Sequence, residues 1–224
     1  MNWRAPVAPQ RLLVGLGLFF GVIGLVLQFV LAMQAYLAAG RDVPGALGTF
    51  FAYYTILTNI GMVLAYLSAI TTTPRLDLFR RPLTRATLAA SVVLVTLYVH
   101  FVLSHLVTLE GLYDLADRML HYLTPVLFVL WWIITPPRGV LRWQKLPWML
   151  VPTLVYFALV LIRGVWVGEY PYPMLDVVGL GYAQVFLNAI FIAIGLAVLS
   201  AITIALDHLL ARLSRTIPHA PLPE

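Results

Sequence analysis

The chain has 224 residues, of which 62% are hydrophobic and 10% are charged, with no cysteine and a formal net charge of +5. Soluble domains usually carry about 25% charged residues, so this composition excludes an ordinary soluble fold, and the lack of cysteine excludes disulfides and thiolate chemistry. The positive charge does not indicate a nucleic-acid partner, because the basic residues are scattered over predicted loops rather than aligned along one helix.

Six apolar segments are long enough, or nearly so, to cross a bilayer as a helix, which takes about 20 residues. In chain order they are Leu12–Ala39, Leu47–Thr72, Ala86–Leu109, Met119–Thr135, Leu146–Ile162 and Val177–Leu206. The first is far longer than the apolar core of a signal peptide, about 7–15 residues, so we interpret it as a retained helix. We predict an all-α fold: a polytopic membrane protein with one six-transmembrane-helix bundle over residues 1–224.

Charged loop residues predict how this bundle is oriented. Basic residues concentrate before the first segment, in the second-to-third and fourth-to-fifth connections and in the C-terminal tail, whereas only Arg41, Arg118 and Arg163 lie in the other connections. Because lysine and arginine are enriched on the cytoplasmic side, this pattern places both termini in the cytoplasm. Most acidic residues fall on the outer side: Asp42, Glu110, Asp114, Asp117, Glu169 and Asp176.

The second segment, which includes "FFAYYTILTNIGMVLAYL", holds three polar residues within five positions, Thr55, Thr58 and Asn59. Thr55 and Asn59 are four residues apart and therefore share one face of a helix. We expect Thr58 to be structural, with its hydroxyl bonded to a carbonyl one turn back. For Asn59 two interpretations stay open, because an intramembrane amide can either orient a catalytic group or bridge two helices.

Histidines in two other segments are predicted to lie at the depth of these polar residues. His100 and His105 fall in the outer half of the third segment, and His121 begins the fourth, close to Pro125, which frees backbone carbonyl groups. Ionisable groups inside a membrane are functional candidates because burying them is costly. His100 and His105 are about 140° apart around a helix, so they do not readily share a metal, and we predict no metal site and no cofactor.

Two connections have distinctive compositions. The outer connection "GEYPYPMLD" contains Tyr170 and Tyr172, which fit an interfacial aromatic belt, while its prolines would stiffen it as a lid over an outward-facing cavity. The inner connection "TPPRGVLRWQKLPW" combines tryptophan with arginine and lysine, a pattern typical of anchoring to anionic lipid headgroups.

Three motifs together resemble the bacterial Pr-six-Pr family of membrane proteins. They are "YYTILTN" at Tyr53–Asn59, "HYLTP" at His121–Pro125 and "YPYPMLD" at Tyr170–Asp176. The likeness covers most of the chain and extends to Arg142–Gly164 and Leu180–Ile190. That family in turn looks like the androgen-induced family of eukaryotic six-span proteins, whose members hydrolyse fatty acid esters of hydroxy fatty acids.

The resemblance implies functional roles for particular residues. The eukaryotic family uses an intramembrane threonine and a histidine, which match Thr55 and His121 here. It also tends to have an acidic residue ten positions after that histidine, where this chain has Trp131. The activity implied for this chain therefore does not include a contribution from that carboxylate.

The implied pair is chemically coherent. A threonine hydroxyl is a weak nucleophile until a neighbouring base removes its proton, and a histidine can do this and then protonate the leaving alcohol. Asn59 or Tyr54 could donate a hydrogen bond to a developing oxyanion, and His100 could orient His121 or hold a carboxylate headgroup. The other candidate substrate contacts are Thr58, Trp131 and Tyr170.

We therefore expect a lipid-ester hydrolase of the bacterial inner membrane, acting on a fatty acid ester that enters from the bilayer. One alternative is a lipid-binding or transport protein in which the same polar layer binds a ligand without turnover, although no internal repeat of the kind common in transporters is evident. Another is a haem or metal redox protein, which the spacing of the histidines does not favour.

Overall fold

The structure is a computed structural model and describes residues 7–106 and 108–216, without the side chains of residues 215 and 216. Over these residues the chain is helical and contains no β-strand, which confirms the predicted all-α class. The α-helices in chain order are α1 (Ala8–Ala38), α2 (Val43–Phe51), α3 (Tyr54–Ile70), α4 (Asp77–Arg80), α5 (Pro82–Tyr98), α6 (Gly111–Arg118), α7 (Thr124–Ile134), α8 (Leu146–Val167) and α9 (Val177–Thr216). Two π-helical segments, Val99–Leu103 and Met119–Leu123, extend α5 and join α6 to α7.

Four helical stretches are long and apolar enough to cross a membrane: Ala8–Ala38, Pro82–Leu103, Trp143–Val167 and Val177–Ser214. Helices α2 and α3 together form a fifth if the pair, bent by 74°, counts as one broken span. These stretches overlap five of the six predicted segments. They are consistent with an integral membrane protein, as are the large apolar side chains on the surface, such as Trp166 at 82% exposure.

The fourth predicted span, Met119–Thr135, is not among these stretches. It lies in the run formed by α6, the π-helical segment Met119–Leu123 and α7. This run begins with charged residues, including Asp114, Asp117 and Arg118, which lower its average hydropathy. The count of six spans therefore stays a prediction.

The helices pack around an apolar core at one end of the bundle. Helix α1 contacts α3 and α7, α5 contacts α3, α7 and α9, and α8 contacts α9. The largest buried side chains of the core come from α3 and α7: Tyr66, Phe128 and Trp131. Helix α1 approaches α3 closely because Gly17 faces the Tyr66 ring, and a Cβ built at Gly17 would lie 2.2 Å from a ring carbon.

The predicted second span is interrupted. Helix α2 ends at Phe51 and α3 begins at Tyr54, with Tyr53 in an extended conformation between them. The break leaves the Ala52 carbonyl without a helical partner, and the Tyr156 hydroxyl of α8 donates a hydrogen bond to it at 2.8 Å. A broken helix at membrane depth needs such partners from neighbouring protein. Its consequence is that the first turn of α3 begins inside the bundle.

Candidate active site

Thr55 lies in the first turn of α3, directly after the break, and is 4% exposed. Backbone N–H groups in the first turn of a helix have no partner within the helix. The Thr55 N–H points to the Tyr172 hydroxyl oxygen, at 3.4 Å, and Tyr172 Oη lies equally far from Thr55 Oγ1. Because of the break, the Thr55 hydroxyl and the Thr55 backbone N–H both lie next to the Tyr172 hydroxyl.

The side chains of Thr55 and His121 are in direct contact. Thr55 Oγ1 lies 3.0 Å from His121 Nε2, a hydrogen-bonding distance. The His121 side chain, carried by the π-helical segment Met119–Leu123, is only 17% exposed. The two residues singled out from the sequence are thus brought together within the distance that nucleophile and base require.

The other nitrogen of the His121 ring contacts Asp117. His121 Nδ1 lies 2.8 Å from Asp117 Oδ1 and 3.2 Å from the Asp117 carbonyl oxygen. Both of these oxygens are acceptors, so the hydrogen-bond pattern assigns a proton to Nδ1 and leaves Nε2 to accept from the Thr55 hydroxyl. The arrangement is therefore a chain of three groups, hydroxyl, imidazole and carboxylate.

Sequence reasoning missed the role of Asp117, which it treated only as one of several outer acidic residues. The spacing of four residues to His121 was the available signal, because such residues are neighbours on a helix. The predicted fourth segment began at Met119, which left Asp117 outside it. In the structure the helical run begins earlier, at Gly111, and includes Asp117.

Asn59 connects α3 to the segment that carries His121. Its Nδ2 donates to the carbonyl oxygens of Thr55, at 2.9 Å, and Leu120, at 3.1 Å, and its Oδ1 accepts from the Thr124 hydroxyl at 2.6 Å. These bonds occupy the whole amide, so Asn59 bridges the two helices and fixes the backbone on both sides of the Thr55–His121 contact. Its predicted contact with substrate stays a prediction.

Pro125 explains why these bonds fall where they do. Proline has no N–H, so carbonyl groups one turn before Pro125 lose their helical donor. The Leu120 carbonyl accepts from Asn59 instead, and the His121 carbonyl accepts from the Thr96 hydroxyl of α5 at 2.7 Å. Freed carbonyl groups are thus satisfied by α3 and α5, and the same bonds hold His121 in place.

The hydroxyl groups of Thr58 and Tyr54 do not hydrogen-bond to the side chains of Thr55 or His121. The Thr58 hydroxyl donates to the carbonyls of Tyr54 and Thr55, at 3.0 and 3.1 Å, which is the structural arrangement expected for it. The Tyr54 hydroxyl lies 2.6 Å from Thr153 Oγ1 and 3.2 Å from Ser91 Oγ, so it is directed toward α8 and α5. The tyrosine hydroxyl that reaches Thr55 belongs to Tyr172.

The remaining sequence candidates lie away from the pair. The exposed His100 packs against the rings of Phe101 and Tyr122 and does not contact His121, and His105 is exposed. Trp131 is buried in the core at the other end of the bundle, beneath the Arg85 guanidinium, at 4.8 Å. Tyr170 packs over Gly164 of α8. Neither Trp131 nor His100 contacts Thr55 or His121, and their predicted contacts with substrate stay predictions.

A partly open pocket with an almost entirely apolar lining adjoins Thr55. Its walls come from α3, α5, α8, α9 and the connection before α9. The fully apolar side chains of its lining include Leu94, Val95, Phe157, Met174 and Ile192. An apolar chain of a bound molecule could therefore lie directly beside the Thr55 hydroxyl.

The connection that carries Tyr172 is held by an ion pair. Arg41 donates two hydrogen bonds to the Glu169 carboxylate, at 2.8 and 2.5 Å, and Arg163 donates to the Glu169 carbonyl at 3.3 Å. The bonds from Arg41 keep the pKa of the Glu169 carboxyl below its ordinary value. Both arginines also donate to the Thr49 hydroxyl, so α2 and the α8–α9 connection are joined on the side of the bundle where the pocket lies.

Within the described part of the chain no group of three or more histidine, aspartate or glutamate side chains is arranged to hold a metal ion. No family model, no curated protein and no solved structure matches the chain.

Proposed function

We propose that this chain is an integral membrane carboxylic ester hydrolase in which Thr55 is the nucleophile, His121 the general base and acid, and Asp117 the group that orients His121. The observation that carries the proposal is the continuous contact from Thr55 Oγ1 to His121 Nε2, at 3.0 Å, and from His121 Nδ1 to Asp117 Oδ1, at 2.8 Å. Hydroxyl, imidazole and carboxylate in this order form the catalytic arrangement of hydrolases on several unrelated folds.

In the proposed reaction His121 Nε2 takes the proton of the Thr55 hydroxyl while Oγ1 attacks the carbonyl carbon of the ester. In this proposal the Thr55 N–H and the Tyr172 hydroxyl, which lie next to Oγ1, donate to the resulting oxyanion. One such donor contributes on the order of 3–4 kcal/mol to the transition state. The C–O bond to the alcohol then breaks, and the imidazolium protonates the departing oxygen. Water, deprotonated by His121, then attacks the acyl carbon, the bond to Thr55 Oγ1 breaks, and the imidazolium returns its proton to Oγ1 as the carboxylic acid leaves.

The apolar pocket beside Thr55 supports a fatty acyl group as the part of the substrate that binds. A pocket lined by aliphatic and aromatic side chains stabilises a hydrocarbon chain by removing its surface from water. The resemblance to the six-span threonine hydrolases favours fatty acid esters of hydroxy fatty acids, or esters of similar shape, reaching the pocket from the bilayer.

The proposed location is the bacterial inner membrane, with six spans and both termini in the cytoplasm. The distribution of basic residues supports this orientation, and the apolar stretches of α1, α5, α8 and α9 support insertion in a bilayer. In this orientation Thr55 and His121 lie toward the outer surface, where the polar end of a lipid ester would be.

The test is hydrolysis of a fatty acid ester of a hydroxy fatty acid by the purified chain in detergent micelles. Thr55→Ala and His121→Ala should each abolish turnover, and a fluorophosphonate probe should label the wild type but not Thr55→Ala. Thr203→Ala is the matched control, because Thr203 is a buried threonine of α9 whose hydroxyl, among the described residues, bonds to the Leu199 carbonyl alone.

Labelling that persists in Thr55→Ala would remove the nucleophile assignment. If the wild type instead binds the ester without releasing fatty acid, the hydrolase proposal is wrong and the result favours a lipid-binding or transport protein.

A further inference from the structure

A second pocket lies at the other end of the bundle from Thr55, next to the core around Trp131. It is lined by residues from the end of α4, the start of α5, the end of α7, the α7–α8 connection and α9. We call it the arginine pocket, because Arg80, Arg85 and Arg138 line it together with Asp207 and Thr135.

Two of these arginines are fixed by the protein itself. Arg80 donates to the carbonyls of Ser68 and Thr71 and pairs with Asp77. Arg85 donates to the Phe79 carbonyl at 3.0 Å and lies over the Trp131 ring. Both guanidinium groups are therefore held rigidly at the pocket wall, which lowers the entropy cost of binding an anion there.

The third arginine and a neighbouring hydroxyl are not satisfied. Among the described residues neither Arg138 Nη2 nor Thr135 Oγ1 has a hydrogen-bond partner, although both atoms are buried. The Arg138 side chain is 12% exposed and its guanidinium lies 4.8 Å from the Trp132 ring centroid. Buried donors without a partner are unfavourable, and each such case requires an explanation, such as a ligand that is absent from the structure.

Asp207 compensates these charges only in part. Its Oδ2 accepts from the Leu141 N–H at 3.0 Å, and its Oδ1 lies 3.9 Å from Arg138 Nη1, the limit for an ion pair. Burial lowers the pKa of the Arg138 guanidinium, and Asp207 acts in the opposite direction. With three arginines and one aspartate on its wall, the pocket keeps an excess of positive charge.

We propose that the arginine pocket binds a phosphate-type oxyanion, either the headgroup of an anionic phospholipid or free phosphate. Guanidinium groups match the oxygens of phosphate well, and the unpaired Arg138 Nη2 and Thr135 Oγ1 supply donors for two of them. The position of the pocket favours a lipid. Trp143 and Trp148 are exposed nearby in sequence, with Lys145 over the Trp148 ring, and such residues mark the headgroup level of a membrane.

The experiment measures the melting temperature of the full chain in dodecylmaltoside micelles with increasing amounts of three probes: short-chain phosphatidylglycerol, short-chain phosphatidylcholine and inorganic phosphate. Wild type should be stabilised saturably by phosphatidylglycerol and not by the zwitterionic lipid. Arg138→Gln should weaken the apparent Kd about tenfold, the usual effect of losing one charged hydrogen bond. Arg142→Gln, an exposed arginine of the same connection outside the pocket, should leave it unchanged.

Thr135→Val keeps the test independent of folding defects. Because Thr135 Oγ1 has no partner to lose, this variant should be at least as stable as the wild type without ligand, yet should bind phosphatidylglycerol more weakly. Stabilisation by phosphate alone that depends on Arg138 and Thr135 supports the site with a free anion as its ligand. The proposal is overturned if neither anionic probe gives a saturable shift, if phosphatidylcholine acts equally, or if Arg142→Gln weakens binding as much as Arg138→Gln.

Discussion

At the level of single residues, the proposed mechanism depends on Asp117 for the tautomer of His121. Asp117→Asn should lower kcat by on the order of 10²–10⁴-fold with little change in KM, because an asparagine amide can offer N–H to Nδ1 and so favour the tautomer that cannot accept the Thr55 proton. The measurement is steady-state hydrolysis of a fatty acid ester of a hydroxy fatty acid.

Asp114 provides the matched control for this prediction. It lies one turn from Asp117 on α6, but its carboxylate pairs with Arg118 and not with His121. Asp114→Asn should therefore retain the wild-type kcat. If the two substitutions reduce kcat equally, the effect comes from charge or helix stability and the orienting role of Asp117 is wrong.

Tyr172 is predicted to act on the transition state. Tyr172→Phe removes the hydroxyl that lies 3.4 Å from Thr55 Oγ1 and should reduce kcat about 10²-fold, the usual effect of one oxyanion donor. Tyr182→Phe, on an exposed tyrosine of α9, serves as the control. A change confined to KM would assign Tyr172 to substrate binding instead.

The sequence predicted the Thr55–His121 contact but not the contacts that Asp117 makes with His121 and Tyr172 makes with Thr55. Depth in the membrane placed several polar residues at one level, and the motif resemblance then singled out Thr55 and His121 among them. Tyr172 is brought to Thr55 by the packing of the α8–α9 connection, a contact across 117 positions of chain that no local pattern reveals. Tyr170, which was the predicted substrate contact in this connection, packs over Gly164 of α8.

At the level of elements, the break between α2 and α3 is the feature that most affects function. The sequence predicted one continuous span there, because the residues from Phe51 to Tyr54 include neither proline nor glycine. The break is stabilised by a residue of another helix, because the Tyr156 hydroxyl of α8 donates a hydrogen bond to the Ala52 carbonyl. The sequence around the break therefore does not reveal it. Without it the Thr55 N–H would be bonded within a helix and unable to serve an oxyanion.

The contact of α1 with α3 gives a prediction about stability. Gly17→Ala places a methyl group within 2.2 Å of the Tyr66 ring carbon, and overpacking of this kind typically costs about 1–3 kcal/mol. The melting temperature in micelles should therefore fall. Gly15 is the control on the same helix, because a Cβ there meets no atom within 4 Å, and Gly15→Ala should leave the melting temperature unchanged or higher. Equal behaviour of the two variants would contradict the close packing of α1 on α3.

At the level of the whole molecule, the two ends of the bundle differ in chemistry. The Thr55–His121–Asp117 contact and the apolar pocket lie at one end, and the arginine pocket lies at the other. The distribution of charged residues in the sequence anticipates this polarity, because loop charge is set by orientation rather than by packing. Hydropathy does not identify the run from α6 to α7 as a span, because the candidate catalytic residues in it are polar and lower its hydropathy.

The absence of cysteine makes the topology directly testable, because every introduced cysteine is the only thiol in the chain. Thr73→Cys, Glu110→Cys and Val140→Cys each place one thiol in an exposed position of a successive connection. If the bundle has six spans with both termini in the cytoplasm, a membrane-impermeant maleimide should label Glu110→Cys in intact spheroplasts. It should label Thr73→Cys and Val140→Cys only after the membrane is permeabilised.

Val140→Cys is the decisive variant, because only the run from Met119 to Thr135 separates residue 140 from residue 110. Should both thiols react in intact spheroplasts, this run does not cross the membrane and the six-span prediction is wrong. Labelling on opposite sides would instead show that a helix with the half-buried His121 and the buried Thr124 at its start spans the bilayer. In that case its cost in hydrophobic stabilisation is offset by the bonds that Asn59 and Thr96 make to it, the same bonds that fix the proposed catalytic histidine.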